Sequence, residues 1–217
     1  VLMIRIVSIL LLTLGFSPLA LAEEVQYQLE VDNSWSGDTH PHDWPANGGH
    51  MSGLIGATHH GRYVMFADGN TASSGVKSVA ERGRQRILRA ELDEAVERKR
   101  VGDVFQADGI AQVPGRISVK FPVSETHARV SFVTMIAPSP DWFTGLAGVK
   151  LRDDAGWKDK TTYVLWAWDA GTDRGASYAS DNDANQPAES IRLVASPHFL
   201  DNTGLKQVGT ATFTRID

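Results

Sequence analysis

Alternating apolar and polar residues mark the first strand of the chain. Val25, Tyr27, Leu29 and Val31 are apolar, and the residues between them are polar, which predicts a strand with one buried face. Such one-sided strands are typical of antiparallel sandwiches. Similar runs at intervals along the chain indicate further strands, at 63–66, 116–121, 129–136, 149–151, 161–168, 191–195 and 207–215. About eight strands predict a mainly β fold, an antiparallel β-sandwich.

One helical region interrupts the strands. Ser73 or Ser74 can cap its start, because a serine hydroxyl accepts a hydrogen bond from a free N–H of the first turn. Gly83 is expected to divide it into helices over 76–82 and 84–99. The basic residues of the second helix alternate with acidic ones, which is more typical of a solvated face than of a partner surface. Its apolar stripe consists of Ile87, Leu88, Leu92 and Val96.

Two acidic turns follow strand-like runs. Asp141 comes after the run 130–136, and Asp169 and Asp173 come at the end of the run 161–168. If these strands lie side by side, the three carboxylates converge at one end of the molecule, where their mutual repulsion requires raised pKa values or a bound cation. Calcium suits such a site because it accepts many oxygen ligands in irregular geometry. Spacing alone leaves a second interpretation open, in which these are solvated turn aspartates.

Histidine is concentrated in one polar segment. Residues 33–61 are rich in Gly, Pro, Trp and His, and they hold five of the seven histidines. Neutral imidazole binds zinc and copper well, so a transition-metal site is one interpretation, although the spacing matches no strong zinc pattern. The other interpretation is a structural role in the framework of the fold. The histidines concerned are His40, His42, His50, His59 and His60.

The two acidic turns also carry a resemblance to a known family. The segments FVTMIAPSPDWF (132–143) and WDAGTD (168–173) resemble the spondin N-terminal domain family, which occurs in animal matrix proteins such as F-spondin and mindin and as a stand-alone bacterial domain. Three upstream segments, HMSGLIGATH, ASSGVK and AERG, and one downstream segment, 186–192, are also similar. The resemblance covers roughly residues 25 to 215.

This resemblance implies both a fold and a metal. It implies an antiparallel β-sandwich with bound calcium, similar in architecture to calcium-dependent membrane-targeting domains. It also implies that the family's calcium-binding aspartates correspond to Asp141, Asp169 and Asp173.

The N-terminal segment predicts export. Arg5 precedes a short apolar run, and Ala20-Leu21-Ala22 forms a small-x-small cleavage pattern, so we expect a signal peptide over 1–22 and one domain over 23–217. The chain contains no cysteine, whereas exported animal proteins usually carry disulfides. This favours a bacterial stand-alone member that is periplasmic or secreted.

Composition and charge narrow the function classes. The chain is 42% hydrophobic and 22% charged, which is ordinary for a soluble globular protein. Of its 21 basic residues, loss of Arg5 with the leader leaves 20 against 26 acidic ones, a net charge of −6. That charge disfavours nonspecific nucleic-acid binding.

The sequence therefore predicts an exported calcium-binding module for binding or adhesion, with no enzymatic activity. Calcium orders two loops, whose rim carries Trp142, Phe143 and Arg174, and this rim presents a surface to a glycan, an anionic lipid or a protein. We expect a monomer without a transmembrane segment after signal cleavage. The alternative is a zinc or copper enzyme built on His40, His42, His50 and His59, although the chain has no familiar catalytic motif.

Overall fold

The computed structural model describes residues 23–217, so the expected signal peptide lies outside the described residues. The described part of the chain is dominated by strands. In chain order they are β1 (Glu24–Asn33), β2 (His50–Met51), β3 (Leu54–His59), β4 (Val101–Ala107), β5 (Gly115–Ser124), β6 (Arg129–Ala137), β7 (Trp142–Lys150), β8 (Arg152–Asp153), β9 (Gly156–Trp157), β10 (Lys160–Leu165), β11 (Ala167–Asp169), β12 (Arg192–Leu193), β13 (Leu200–Asp201), β14 (Gly204–Leu205) and β15 (Gly209–Arg215).

A four-stranded antiparallel sheet forms the outer layer of a sandwich. Its order is β10-β15-β1-β5, and β1 pairs with β5 over its whole length, from Glu24 opposite Ser124 to Asn33 opposite Gly115. The alternating apolar residues predicted for β1 are all buried. This confirms the predicted one-sided strand.

A larger sheet forms the middle layer. Its order is β12-β11-β7-β6-β3-β4, with β2 pairing at the end of β6. Nearly every residue of β6 and β3 is buried, because both faces of this sheet are covered. Two small hairpins, β8–β9 and β13–β14, and a 3₁₀ turn at Glu125–His127 complete the described structure.

Two helices cover the far face of the middle layer. They are α1 (Ser74–Arg82) and α2 (Arg86–Glu97). The Ser73 hydroxyl accepts a hydrogen bond from the Val76 N–H at the start of α1, and Gly83 ends it in a left-handed conformation, as expected for these cap residues. No helix among residues 23–217 is long and apolar enough to cross a membrane.

The core is divided by the middle sheet. One cluster lies between the two sheets and includes Tyr27, Phe132 and Trp142. The other lies between the middle sheet and the helices and includes Val133 and Phe143. Successive residues of β6 and β7 thus face different clusters, as the pleat of a strand requires.

The mainly β sandwich with two helices is confirmed, but some predicted elements were wrong. Residues 63–66 form no strand. The run 161–168 divides into β10 and β11, which belong to different sheets. The predictions also missed β2, β3 and β4 and most of β7.

Candidate functional site

The two acidic turns meet where β7 begins and β11 ends. Trp142 pairs with Asp169 across these two strands, so Asp141 and Asp169 lie at the same end of the sheet. The Ala170 N–H donates to the Asp141 backbone carbonyl at 3.2 Å, which extends the pairing by one step. The predicted convergence of the turns therefore occurs. It is carried by β7, which lies between β6 and β11, and not by direct pairing of the two apolar runs.

Asp141 is buried and binds the second turn directly. One carboxylate oxygen, Oδ2, accepts hydrogen bonds from the Thr172 N–H at 2.7 Å, the Thr172 hydroxyl at 3.2 Å and the Asp173 N–H at 3.1 Å. The other oxygen, Oδ1, is buried and has no hydrogen-bond partner among the described residues. The hydrogen-bonding capacity of Oδ2 is thus well satisfied, whereas the burial of Oδ1 has a desolvation cost that no hydrogen bond offsets.

The pKa of the Asp141 carboxyl reflects both its burial and its hydrogen bonds. Burial raises the pKa of its carboxyl to about 6, and the nearby Asp169 charge adds to the rise. The hydrogen bonds from Thr172 and Asp173 oppose it. At neutral pH the carboxylate is therefore ionised in surroundings that disfavour its charge.

The other two aspartates organise the second loop. Asp169 accepts from the Gly171 N–H at 2.7 Å and pairs with Arg192 at 3.2 Å. Asp173 is buried and accepts from the Gly175 N–H at 2.8 Å and the Asp183 N–H at 2.9 Å. All three carboxylates therefore hold backbone N–H groups of the loop after β11.

Two glycines allow the loops to approach closely. Gly171 has φ +72°, and a Cβ there would lie 2.5 Å from the Glu189 carbonyl oxygen. A Cβ at Gly175 would lie 2.6 Å from Pro140 in the first loop. A larger residue at Gly175 would push the acidic turns apart, and one at Gly171 would clash with the backbone at Glu189.

The rim of the site differs from the prediction. Trp142 is 2% and Phe143 0% exposed, so the expectation that these aromatic residues present a binding surface was wrong. Both belong to the middle sheet, and each packs into one of the two core clusters. Arg174 is exposed as predicted, and its guanidinium pairs with Asp183 at 2.7 Å.

An open cavity of about 430 Å³ lies beside the aspartates. Its polar lining includes three acidic and two basic side chains together with a serine. The Asp169 charge raises the pKa of one of the two arginines, Arg192. The lining side chains with charge or hydroxyl groups are Asp169, Asp173, Arg174, Glu189, Arg192 and Ser196.

The chemistry of these residues fits calcium. The unpartnered Oδ1 of Asp141 is a hard oxygen ligand without a donor, and a second carboxylate, Asp169, contributes negative charge nearby. The three carboxylates are not closely clustered, however. Residues 23–217 contain one set of three His, Asp or Glu side chains with ligand atoms all within 4.8 Å of one another, and it is not this one.

The structure does not bring the predicted histidines together. His59 is fully buried and contacts the His60 carbonyl and the Ser131 hydroxyl, which fits the framework interpretation. His40 is buried against Phe199, and burial lowers its pKa to about 4. His50 is exposed on β2. Only His42 joins the set of close ligand atoms, together with Asp43 and His198.

Sequence reasoning missed several residues that shape these sites. Thr172 lies inside the acidic turn and could have been noted there. Arg192 and His198 are distant from their partners in sequence. The pairing of β11 with β12 brings Arg192 to Asp169, and the fold of two loops brings His198 to Asp43. No local pattern signals such contacts.

Comparisons with known proteins identify a family and its relatives. A family model described as Spondin_N matches residues 25–203. Spondin-1 of Mus musculus is 37% identical over 206 residues, covering 88% of this chain and 25% of the relative. Spondin-2 of Homo sapiens is 32% identical over 200 residues, covering 87% of this chain and 60% of the relative. The chain thus spans about a quarter of the length of the Spondin-1 relatives.

Proposed function

Because the chain belongs to the spondin N-terminal domain family, we propose that it is an exported calcium-binding module that binds a partner through the loops around Asp141. Calcium is assigned to Asp141, Asp169 and Asp173. The role is one of binding or adhesion, with no chemical step.

One observation carries the calcium assignment. The Oδ1 atom of Asp141 is buried without a hydrogen-bond donor, although this carboxyl already has a pKa raised by burial and by Asp169. A buried, unpaired oxygen of an ionised group is costly. A hard cation removes that cost, and calcium binds such oxygens in irregular surroundings.

The chain's own residues hold the two loops in register. Asp141 fixes the start of the second loop through Thr172 and Asp173. Asp173 in turn holds Asp183, ten residues further along. Bound calcium supplies positive charge that offsets the repulsion among the carboxylates. Occupancy of the metal is therefore coupled to the order of residues 170–185.

The partner surface is the polar cavity beside the aspartates. Arg174 and Arg192 are both exposed there and are each held by an acidic neighbour. Guanidinium groups in fixed positions suit a ligand with carboxylate, phosphate or sulfate oxygens. The ligand is accordingly an acidic group of an extracellular or envelope component, in a glycan, an anionic lipid or a protein. The net negative charge makes nucleic acid an unsuitable partner.

The location of the protein in the cell is inferred from the same family and from the N-terminal sequence. We propose that the protein acts as a monomer outside the cytoplasm, in the periplasm or beyond the cell. The predicted signal peptide at 1–22 supports export. Functions of the complete Spondin-1 and Spondin-2 chains are not transferred, because this chain corresponds to only part of each.

A thermal melt with and without calcium tests the proposal. The protein is first freed of metal with a chelator and then given graded calcium or magnesium. A site with a dissociation constant of ~0.1–1 mM gives ~0.4–1.4 kcal/mol of stabilisation at roughly 1 mM calcium. We expect a calcium-specific rise in the melting temperature of wild-type protein.

A matched pair of variants locates the effect. Asp169→Asn is expected to lose the rise, whereas Asp154→Asn, at an exposed position outside the site, is expected to keep it. Absence of any calcium effect, or an equal effect in both variants, contradicts the assignment to the three aspartates.

A further inference from the structure

A second group of ligand atoms lies outside the aspartate site. His42 belongs to the loop between β1 and β2, and His198 belongs to the loop between β12 and β13. Asp43 lies between them in space: its Oδ2 atom is 3.5 Å from His42 Nε2 and 3.8 Å from His198 Nε2. The ligand atoms of all three residues lie within 4.8 Å of one another.

We propose that His42, Asp43 and His198 form a binding site for one divalent transition-metal ion of the zinc class. This site is separate from the three aspartates and does not depend on the calcium proposal.

The distances suit a shared metal better than direct contacts. Both Nε2–Oδ2 separations exceed the ~2.7–3.2 Å of an ordinary hydrogen bond. Zinc–nitrogen and zinc–oxygen bonds of ~2.0–2.2 Å place neighbouring tetrahedral ligands roughly 3.3–3.6 Å apart. Small side-chain movements therefore bring the three atoms to coordination distance.

His198 provides independent support for a ligand. Its side chain is only 4% exposed, and its Nε2 atom is buried with no hydrogen-bond partner among the described residues. The Ser196 hydroxyl lies 3.1 Å from Nδ1 and can accept the Nδ1 hydrogen, which places the lone pair on Nε2. In that tautomer the Nε2 lone pair lies 3.8 Å from the Asp43 carboxylate oxygen, and a cation bound between the two acceptors satisfies both.

The surroundings hold the His198 ring in one orientation. Its ring packs against Trp142 at 5.2 Å and Tyr178 at 4.8 Å. These contacts restrict the ring before any metal binds.

The ligand set determines the class of metal. Two imidazoles and one carboxylate favour zinc and its transition-metal neighbours over calcium, which prefers oxygen ligands. Three protein ligands leave a fourth position open. Because the side chains of His42 and Asp43 are 48% and 65% exposed, that position faces solvent and takes water.

Zinc titration by calorimetry tests the site. Metal-free protein is titrated with zinc chloride in a buffer containing millimolar calcium, so that calcium sites are already filled. We expect one zinc ion per chain and at least roughly tenfold weaker binding in His42→Gln, Asp43→Asn and His198→Gln, because loss of a direct ligand exceeds the loss of an outer-shell partner. His50→Gln removes an exposed histidine that does not belong to this set of ligand atoms, and this variant should bind zinc as wild type does.

The two exposed ligands allow the test to be made even if the variant of the buried histidine is unstable. His42→Gln and Asp43→Asn decide the matter if His198→Gln does not fold. Asp43→Asn keeps the left-handed backbone at that position, φ 49°, because Asn tolerates this conformation as well as Asp does.

Cobalt in place of zinc should give visible absorption bands that these variants abolish. No zinc binding, or binding unchanged in both exposed variants, overturns the proposal. Retained zinc binding in Asp169→Asn separates it from the calcium site.

Discussion

Asp141 combines strong hydrogen bonding at one oxygen with none at the other. Its Oδ2 atom accepts three hydrogen bonds from the second loop, and its Oδ1 atom is buried alone. The folded-state pKa of about 6 lies above the ordinary value of 3.8, so the fold favours the protonated acid. Without calcium, this group lowers the free energy of unfolding as pH rises from 3.8 to about 6, and the loss is complete above that range.

Asp141→Asn should therefore stabilise the calcium-free protein at pH 7.5 while abolishing its response to calcium. The amide keeps an acceptor for Thr172 and Asp173 and removes the buried charge. A shift of about two pKa units corresponds to on the order of 3 kcal/mol, which sets the upper limit of the gain. Urea unfolding of chelator-treated protein measures it.

The comparison with Asp154→Asn separates this effect from a general change in charge. Asp154 lies on the exposed β8–β9 turn, so its substitution is expected to change stability by less than ~0.5 kcal/mol. A calcium-free Asp141→Asn protein that is less stable than wild type at pH 7.5 contradicts the electrostatic interpretation.

At the level of single residues, the meeting of the two acidic turns was predictable, and the burial of the aromatic residues beside them was not. Acidic turns after strand-like runs identified Asp141, Asp169 and Asp173, and the structure places all three in contacts between the two turns. Trp142 and Phe143 point to opposite faces of β7, and both faces of that sheet are covered. The sequence contains no signal that β7 lies in a middle layer.

At the level of elements, helix α2 shows how much of the burial of a helix can be predicted from its hydrophobic periodicity. The predicted stripe contained Ile87, Leu88, Leu92 and Val96. The structure buries Leu88 and Leu92 but leaves Ile87 39% and Val96 38% exposed. The direction of the helix over the sheet decides which edge of the stripe is covered, and periodicity does not specify that direction.

Leu88→Ala should cost ~2–5 kcal/mol of unfolding free energy, because it opens a cavity between α2 and the middle sheet. Ile87→Ala, next to it in sequence and far more exposed, should cost much less, about 1 kcal/mol or below. Urea unfolding followed by circular dichroism measures both. Equal losses would show that the helix packs differently from the arrangement described.

Strand β3 and the run 161–168 were misjudged for physical reasons. All six residues of β3 are buried, so this strand has no polar face and no alternation to detect. The run 161–168 reads as one strand, but the chain passes from the outer sheet to the middle sheet between β10 and β11. A continuous apolar run contains no information about such a change of partner.

At the level of the whole molecule, long strand ladders form the outer sheet, whereas the segment that follows β11 is an extended loop region. The outer sheet has long ladders, such as the ten pairs between β1 and β5. Residues 170–191 contain no strand or helix, and side chains of the acidic turns hold many of their backbone groups. Local stability in this segment therefore depends on the state of the aspartates, whereas that of the ladders does not.

Calcium should consequently slow amide hydrogen exchange in a restricted part of the chain. The amides expected to respond are those whose N–H groups bond to Asp141 and Asp173, namely Thr172, Asp173, Gly175 and Asp183. Calcium binding removes open states in which these bonds are broken, while amides of the β1–β5 ladder exchange through larger openings and should change little. Exchange measured by mass spectrometry at matched calcium and chelator concentrations tests this, with Asp169→Asn as the control. Equal slowing in the ladder and the loop would mean that calcium stabilises the fold globally, and slowing that persists in Asp169→Asn would place the ion elsewhere.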